Sequence, residues 1–165
     1  MNIESLKRLL LFFLFVLAQA LVFNRIQLFG CAIPLLYIYF IIMIPRSYPK
    51  WATLLWGFAM GFSIDMFANT PGVASASLTL AAALQPYLLE LFLPRDAEES
   101  MPVSAKQLGM GKFATLTSIL TIIFCMAFFT IEAFTFYNWL HCLECIVGSS
   151  LLTIILILAL ENIRK

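Results

Sequence analysis

Charge is what this sequence is short of. Only 12% of its 165 residues are Asp, Glu, Lys or Arg, where a soluble domain carries about 25%, and that deficit argues against a water-soluble fold. An excess of one sign is missing too. Ten Lys and Arg stand against nine Asp and Glu, for a net charge of +1, so there is no concentrated basic surface of the kind that nucleic-acid binding needs. The chain also lacks a repeat of fixed period, a low-complexity tract, and the period-two alternation in segments of about ten residues that marks a transmembrane barrel. Nor is there a Walker loop, a Gly-x-Ser-x-Gly elbow or a His-Glu-x-x-His pair. Nothing in the residues nominates a catalyst, a metal centre or a cofactor.

What fills the chain is apolar sequence: 62% of it is hydrophobic and the mean hydropathy is +0.97. A membrane-crossing helix needs roughly 20 mostly apolar residues. Six such stretches can be laid along the chain, at 6–23, 28–44, 51–67, 73–92, 113–134 and 142–160. The expectation is an all-α integral membrane protein, one domain of six transmembrane helices over 1–165.

Basic residues in short loops are retained on the cytoplasmic side during insertion. With the N-terminus inside, Lys7, Arg8, Arg46, Lys50, Arg95, Lys106, Lys112, Arg164 and Lys165 fall on inner segments and Arg25 alone on an outer one. Both termini are therefore expected in the cytoplasm. Tyr48 and Trp51 at an inner turn, and Tyr137 and Trp139 at an outer one, sit where aromatic residues favour the interface. Lys7-Arg8, the apolar run and Ala18-Gln19-Ala20 imitate a cleavable signal peptide. The run continues through Leu21-Val22-Phe23, which suits an uncleaved first span.

The third stretch is the most informative. Gly57, Gly61 and Asp65 are spaced by four and so share one helix face. Small residues at that spacing let a neighbouring helix approach closely, which is how helices associate in lipid. Asp65 needs a partner, because a carboxylate in or near hydrocarbon costs several kcal/mol unless paired, protonated or solvated. The reading is pairing or capping near the helix end, with Arg25 the one basic residue on the outer side, over ion or proton handling. Asn69-Thr70-Pro71-Gly72 is a turn sequence, and the small residues from Val73 to Ala83 offer a surface for the glycine face. Pro86 is expected to kink the fourth helix.

His141-Cys142-Leu-Glu-Cys145 is the one metal-like or redox-like spelling. It supplies fewer ligands of the right kind than a tetrahedral zinc site requires, and free thiols are the expected state, with a disulfide between Cys142 and Cys145 the alternative. Cys31 and Cys125 read as apolar fillers. The polar stretch 94–112 reads as a solvated linker or a cytoplasmic contact. A membrane enzyme would need a nucleophile, a base and an orienting group together, and Asp65 and His141 alone do not make that set.

The stretch Gly-Phe-Ser-Ile-Asp-Met-Phe-Ala-Asn-Thr-Pro-Gly at 61–72, in a short chain of six apolar stretches, resembles the rod shape-determining MreD family. That family's pattern is a glycine-spaced helix, an Asp, then a small turn with Pro and Gly leading into an apolar helix. Asp65, Pro71 and Gly72 match it, and Gly57 and Gly61 match it less specifically. The resemblance implies a non-enzymatic scaffold of the bacterial wall-elongation complex in the cytoplasmic membrane. It also implies binding to the bitopic protein MreC and association with MreB, RodA and the elongation transpeptidase. Members of the family are similar in fold to the substrate-binding subunits of energy-coupling-factor vitamin transporters, which supplies the alternative. Those subunits carry Ala-x-x-x-Ala in the first span, where this chain has Ala18-Gln19-Ala20.

Overall fold

A computed structural model describes residues 3–22, 32–93, 103–133 and 139–164. These form seven helical segments and no strand: α1 (Ile3–Leu21), α2 (Ile38–Ile42), α3 (Lys50–Ala68), α4 (Val73–Phe92), α5 (Ala105–Leu108), α6 (Met110–Glu132) and α7 (Trp139–Arg164). The chain is all-helical over the described residues, and α3, α6 and α7 are long and apolar enough to cross a membrane. The long helices follow the apolar runs, and their ends follow turn chemistry. α3 stops at Asn69 in the left-handed conformation, with φ +60°, which Asn tolerates better than most residues. α4 starts after Gly72 at φ +88°, a backbone angle that favours a residue without a Cβ. α4 continues through Pro86 to Phe92.

The second apolar stretch departs from the expectation of a membrane-length helix. Of its described part only Ile38–Ile42 is helical, yet residues 34–42 are all buried in the bundle. Pro34 has no amide to donate and disfavours helix at residue 33. Irregular backbone at membrane depth is tolerated only where its polar groups are satisfied inside the protein, and here α7 does much of that. The Ile33 amide donates to Ser149 Oγ and the Leu35 amide to Thr153 Oγ1, both at 3.0 Å. Gln19 Nε2 donates to the Pro34 carbonyl at 3.0 Å. The registers fit: two residues of extended chain advance about 6.6 Å, and four residues of helix about 6 Å. At Gly148 an added Cβ would lie 3.1 Å from Ala32 Cβ, so the missing side chain lets the segment lie close to α7.

The described end of the polar stretch 94–112 is not a solvated linker. Val103, Ala105 and Leu108 are buried in the core.

The two ends of the bundle differ in charge. At the end where α1, α3 and α6 begin, Arg8 lies 4.1 Å from the Tyr48 ring centre and Lys50 lies 4.3 Å from that of Tyr87, and Arg164 reaches Tyr39. The opposite end, where α1, α3 and α6 finish, carries Asp65, Glu132 and Glu144 and, among the described residues, no Lys or Arg.

Candidate functional site

The residues singled out at 57–72 converge on the α3–α4 junction. The first four amides of any helix have no partner within it; in α4 the first three belong to buried residues, and with the Val73 amide donating to the Thr70 carbonyl at 3.4 Å, those of Ala74 and Ser75 still need an acceptor. Asp65, itself 5% exposed, reaches across from the last turn of α3 to accept them. The Ala74 amide donates to Oδ1 at 2.8 Å and the Ser75 amide to Oδ2 at 2.9 Å. The Thr70 hydroxyl adds a bond to Oδ1 at 3.1 Å. Asp65 thus caps α4 from a neighbouring helix, its negative charge at the positive end of the α4 dipole. Its carbonyl accepts the Asn69 amide that closes α3, so one residue ends one helix and begins the next. Arg25 lies outside the described residues.

Gly57 and Gly61 are where α3 and α4 touch. A Cβ at Gly61 would stand 2.4 Å from Ser75 Cα and 2.6 Å from the Ala74 carbonyl oxygen. These are backbone atoms and cannot rotate away. At Gly57 it would meet Ala82 Cβ at 2.8 Å and the Leu78 carbonyl oxygen at 3.2 Å. Around Gly72 the space is open, so that glycine answers to its backbone angle and not to crowding. Pro71 beside it is exposed.

A second buried carboxylate repeats the device at the opposite end. Glu161, 3% exposed, accepts the Ala105 amide at the start of α5 through Oε1 at 2.8 Å and the Tyr39 hydroxyl through Oε2. Sequence reasoning missed it, together with Ser149 and Thr153. A usable signal is there: Cys145, Ser149, Thr153, Ile157 and Glu161 recur every four residues on an otherwise apolar helix, and all five are buried. Gln85 was missed as well; its Nε2 donates to the Ile44 carbonyl at 3.1 Å.

Cys125 and Cys142 are free thiols. Cys142 Sγ lies 3.8 Å from the Phe129 carbonyl oxygen. Cys31 falls outside the described residues. No group of three His, Cys, Asp or Glu able to hold a metal occurs among the described residues.

At the acidic end, a cavity of about 350 Å³ opens between α1, the irregular 33–37 segment and the last turns of α3 and α6. Tyr37, Thr70 and Glu132 line it among apolar side chains. Tyr37 is 1% exposed and its hydroxyl has no hydrogen-bond partner among the described residues.

Comparison with protein families, with curated proteins and with solved structures gives no match for this chain.

Proposed function

We propose that this chain is a non-enzymatic membrane scaffold of the bacterial wall-elongation complex, a protein of the MreD type that binds MreC and associates, directly or indirectly, with MreB, RodA and the elongation transpeptidase. In this reading its six apolar stretches sit in the cytoplasmic membrane with both termini inside. One observation carries the reading. The segment 61–72, on which the resemblance rests, is the part of the chain where Gly61, Asp65 and Gly72 each answer a specific demand of the backbone. The resulting hairpin is fixed on one side by the glycine contact. On the other it exposes Trp51, Leu55, Phe58, Phe62 and Met66, an apolar row suited to a partner's membrane helix.

The test is depletion in a rod-shaped host. Cells should become round or wide, and MreC should co-purify with the wild-type protein. Normal shape after depletion, or a growth defect repaired by an added vitamin, would sink the scaffold reading. The second outcome would move the protein to its alternative, the small-molecule-binding subunit of an energy-coupling-factor type transporter. That alternative is kept for one observation, the cavity at the acidic end.

A further inference from the structure

The basic end of the bundle carries a charge where packing favours an apolar side chain. Arg8, Phe12, Phe15 and Gln19 recur at intervals of three and four and so share one face of α1. Phe15 and Gln19 are buried, and Phe12 packs against Phe40 and Trp56 with ring centres 6.1 and 5.5 Å away. Arg8 heads this stripe and is half-buried, while Lys7 beside it is exposed.

What meets Arg8 there is a ring. Its guanidinium carbon lies 4.1 Å from the Tyr48 ring centre, within reach of a cation–π contact, and the Tyr48 hydroxyl accepts the Trp56 indole N–H at 3.0 Å. One face of the guanidinium is thus covered by a platform that Trp56 fixes. Its edges are not. The group carries five N–H donors, yet among the described residues Arg8 makes no hydrogen bond or ion pair. A half-buried cation in that state leaves part of its desolvation cost without compensation.

Two more cations flank the same ring. Arg46 and Lys50 lie two residues to either side of Tyr48, so their Cα atoms are within about 7 Å of its own. The Tyr48 amide closes the turn by donating to the Pro45 carbonyl at 3.1 Å, and Arg46 is exposed at the tip. Lys50 opens α3, a helix long and apolar enough to cross a membrane, in a first turn without an acidic residue. Its ammonium stands 4.3 Å from the Tyr87 ring centre. Of the described acids at this end, Glu161 is buried against Ala105 and Tyr39, and Glu90 pairs with no cation among the described residues.

Three cations around a fixed ring, at the end of a membrane-length helix, suit a phosphodiester. It takes the two-pronged edge of a guanidinium and the point charge of an ammonium together, and basic pockets between transmembrane helices recognise anionic headgroups in this way. The surroundings suit a lipid as well. Trp51, next to Lys50, is 70% exposed, as befits an indole at the water interface. Leu10, Phe13, Leu14 and Leu17 are exposed along α1 beyond Arg8, an apolar bed on which acyl chains can lie.

We infer that the crevice between α1 and the 45–50 turn binds the headgroup of an anionic phospholipid, its phosphate held by Arg8 with Arg46 and Lys50 beside it. The site holds under either reading of function and asks only that α3 cross the membrane.

The protein's own tryptophans report on it. Trp51 and Trp56 stand at this site and Trp139 begins α7 at the acidic end, so full-length W139F leaves reporters at the site alone. In phosphatidylcholine vesicles, phosphatidylglycerol carrying a nitroxide near the top of its acyl chain should quench this fluorescence at a lower mole fraction than phosphatidylcholine labelled in the same way. R8Q and K50Q should each lower that preference about fivefold, the scale for one basic side chain near an anionic membrane surface. K7Q removes the same charge one residue away and off the ring, and should lower it far less. Equal quenching by the two lipids overturns the proposal; it is also the result if Asp96, Glu98 or Glu99, outside the described residues, already hold the patch. Equal loss in K7Q and R8Q overturns it too, since the attraction would then be diffuse. Relief of the quenching by inorganic phosphate at constant ionic strength would assign the site to a free anion and overturn the lipid. If R8Q should fail to fold, the two labelled lipids and K50Q still decide.

Discussion

Replacing Asp65 by alanine should cost more than the loss of an ordinary helix cap. A surface N-cap is worth about 0.5–2 kcal/mol because water takes over the exposed amides. Here the amides of Ala74 and Ser75 are buried, and both bond to Asp65. Two buried donors left without acceptors cost about 1–3 kcal/mol each, hence about 2–6 kcal/mol together. The Thr70 hydroxyl can turn elsewhere and adds little. Asp65→Asn keeps one oxygen for one amide while presenting its amide group to the other, so it should fall between the wild type and Asp65→Ala. Unfolding of the detergent-solubilised protein by increasing SDS, followed through the fluorescence of Trp51, Trp56 and Trp139, gives the three stabilities. An Asp65→Ala change within about 0.5 kcal/mol of wild type, the range of an inconsequential surface substitution, would refute the capping argument. Asn as damaging as Ala would refute it in another way, by pointing to charge as the whole of the effect.

Gly61→Ala should lower folded yield and resistance to proteolysis more than Gly57→Ala. The added methyl at 61 meets backbone, whereas at 57 its nearest neighbour is the Ala82 side chain; Leu54→Ile is the control expected to behave as wild type. Cys142, half-buried, should react with a membrane-impermeant thiol reagent faster than Cys145, which is buried, while Cys125 stays protected. Labelling of Cys142 only after the inner face is opened would reverse the orientation drawn from the basic residues.

The long helices were legible because their apolar runs are long and because Gly57, Gly61 and Asp65 repeat at a helical interval. That Asp65 would cap α4 was only half legible. The spacing puts it near a helix end, but its acceptor role depends on amides nine and ten residues further on, brought back by the turn at Asn69 to Gly72. The second stretch was misjudged for a physical reason. A continuous apolar run marks burial, and burial in lipid and burial in protein look alike in sequence. Pro34 was the available warning. What distinguishes the two is whether another helix offers hydrogen-bond acceptors, and those are Ser149 and Thr153, more than a hundred residues away along the chain. The polar face of α7 is readable by its interval of four, but its purpose is not, since nothing in α7 says which amides it will meet.

That dependence bears on how the chain is made. Synthesis delivers residues 33–35 long before Ser149 and Thr153 exist, and until α7 arrives the Ile33 and Leu35 amides have no acceptor in the bundle. Hydrocarbon offers them none, so the segment must wait at the aqueous interface, within the insertion machinery, or in a temporary helix that later unwinds. A helix synthesised more than a hundred residues later is thus the one that fixes the second segment in place, and a nascent chain that stops short of α7 already has α1, α3, α4 and α6 and still no means of finishing its interior.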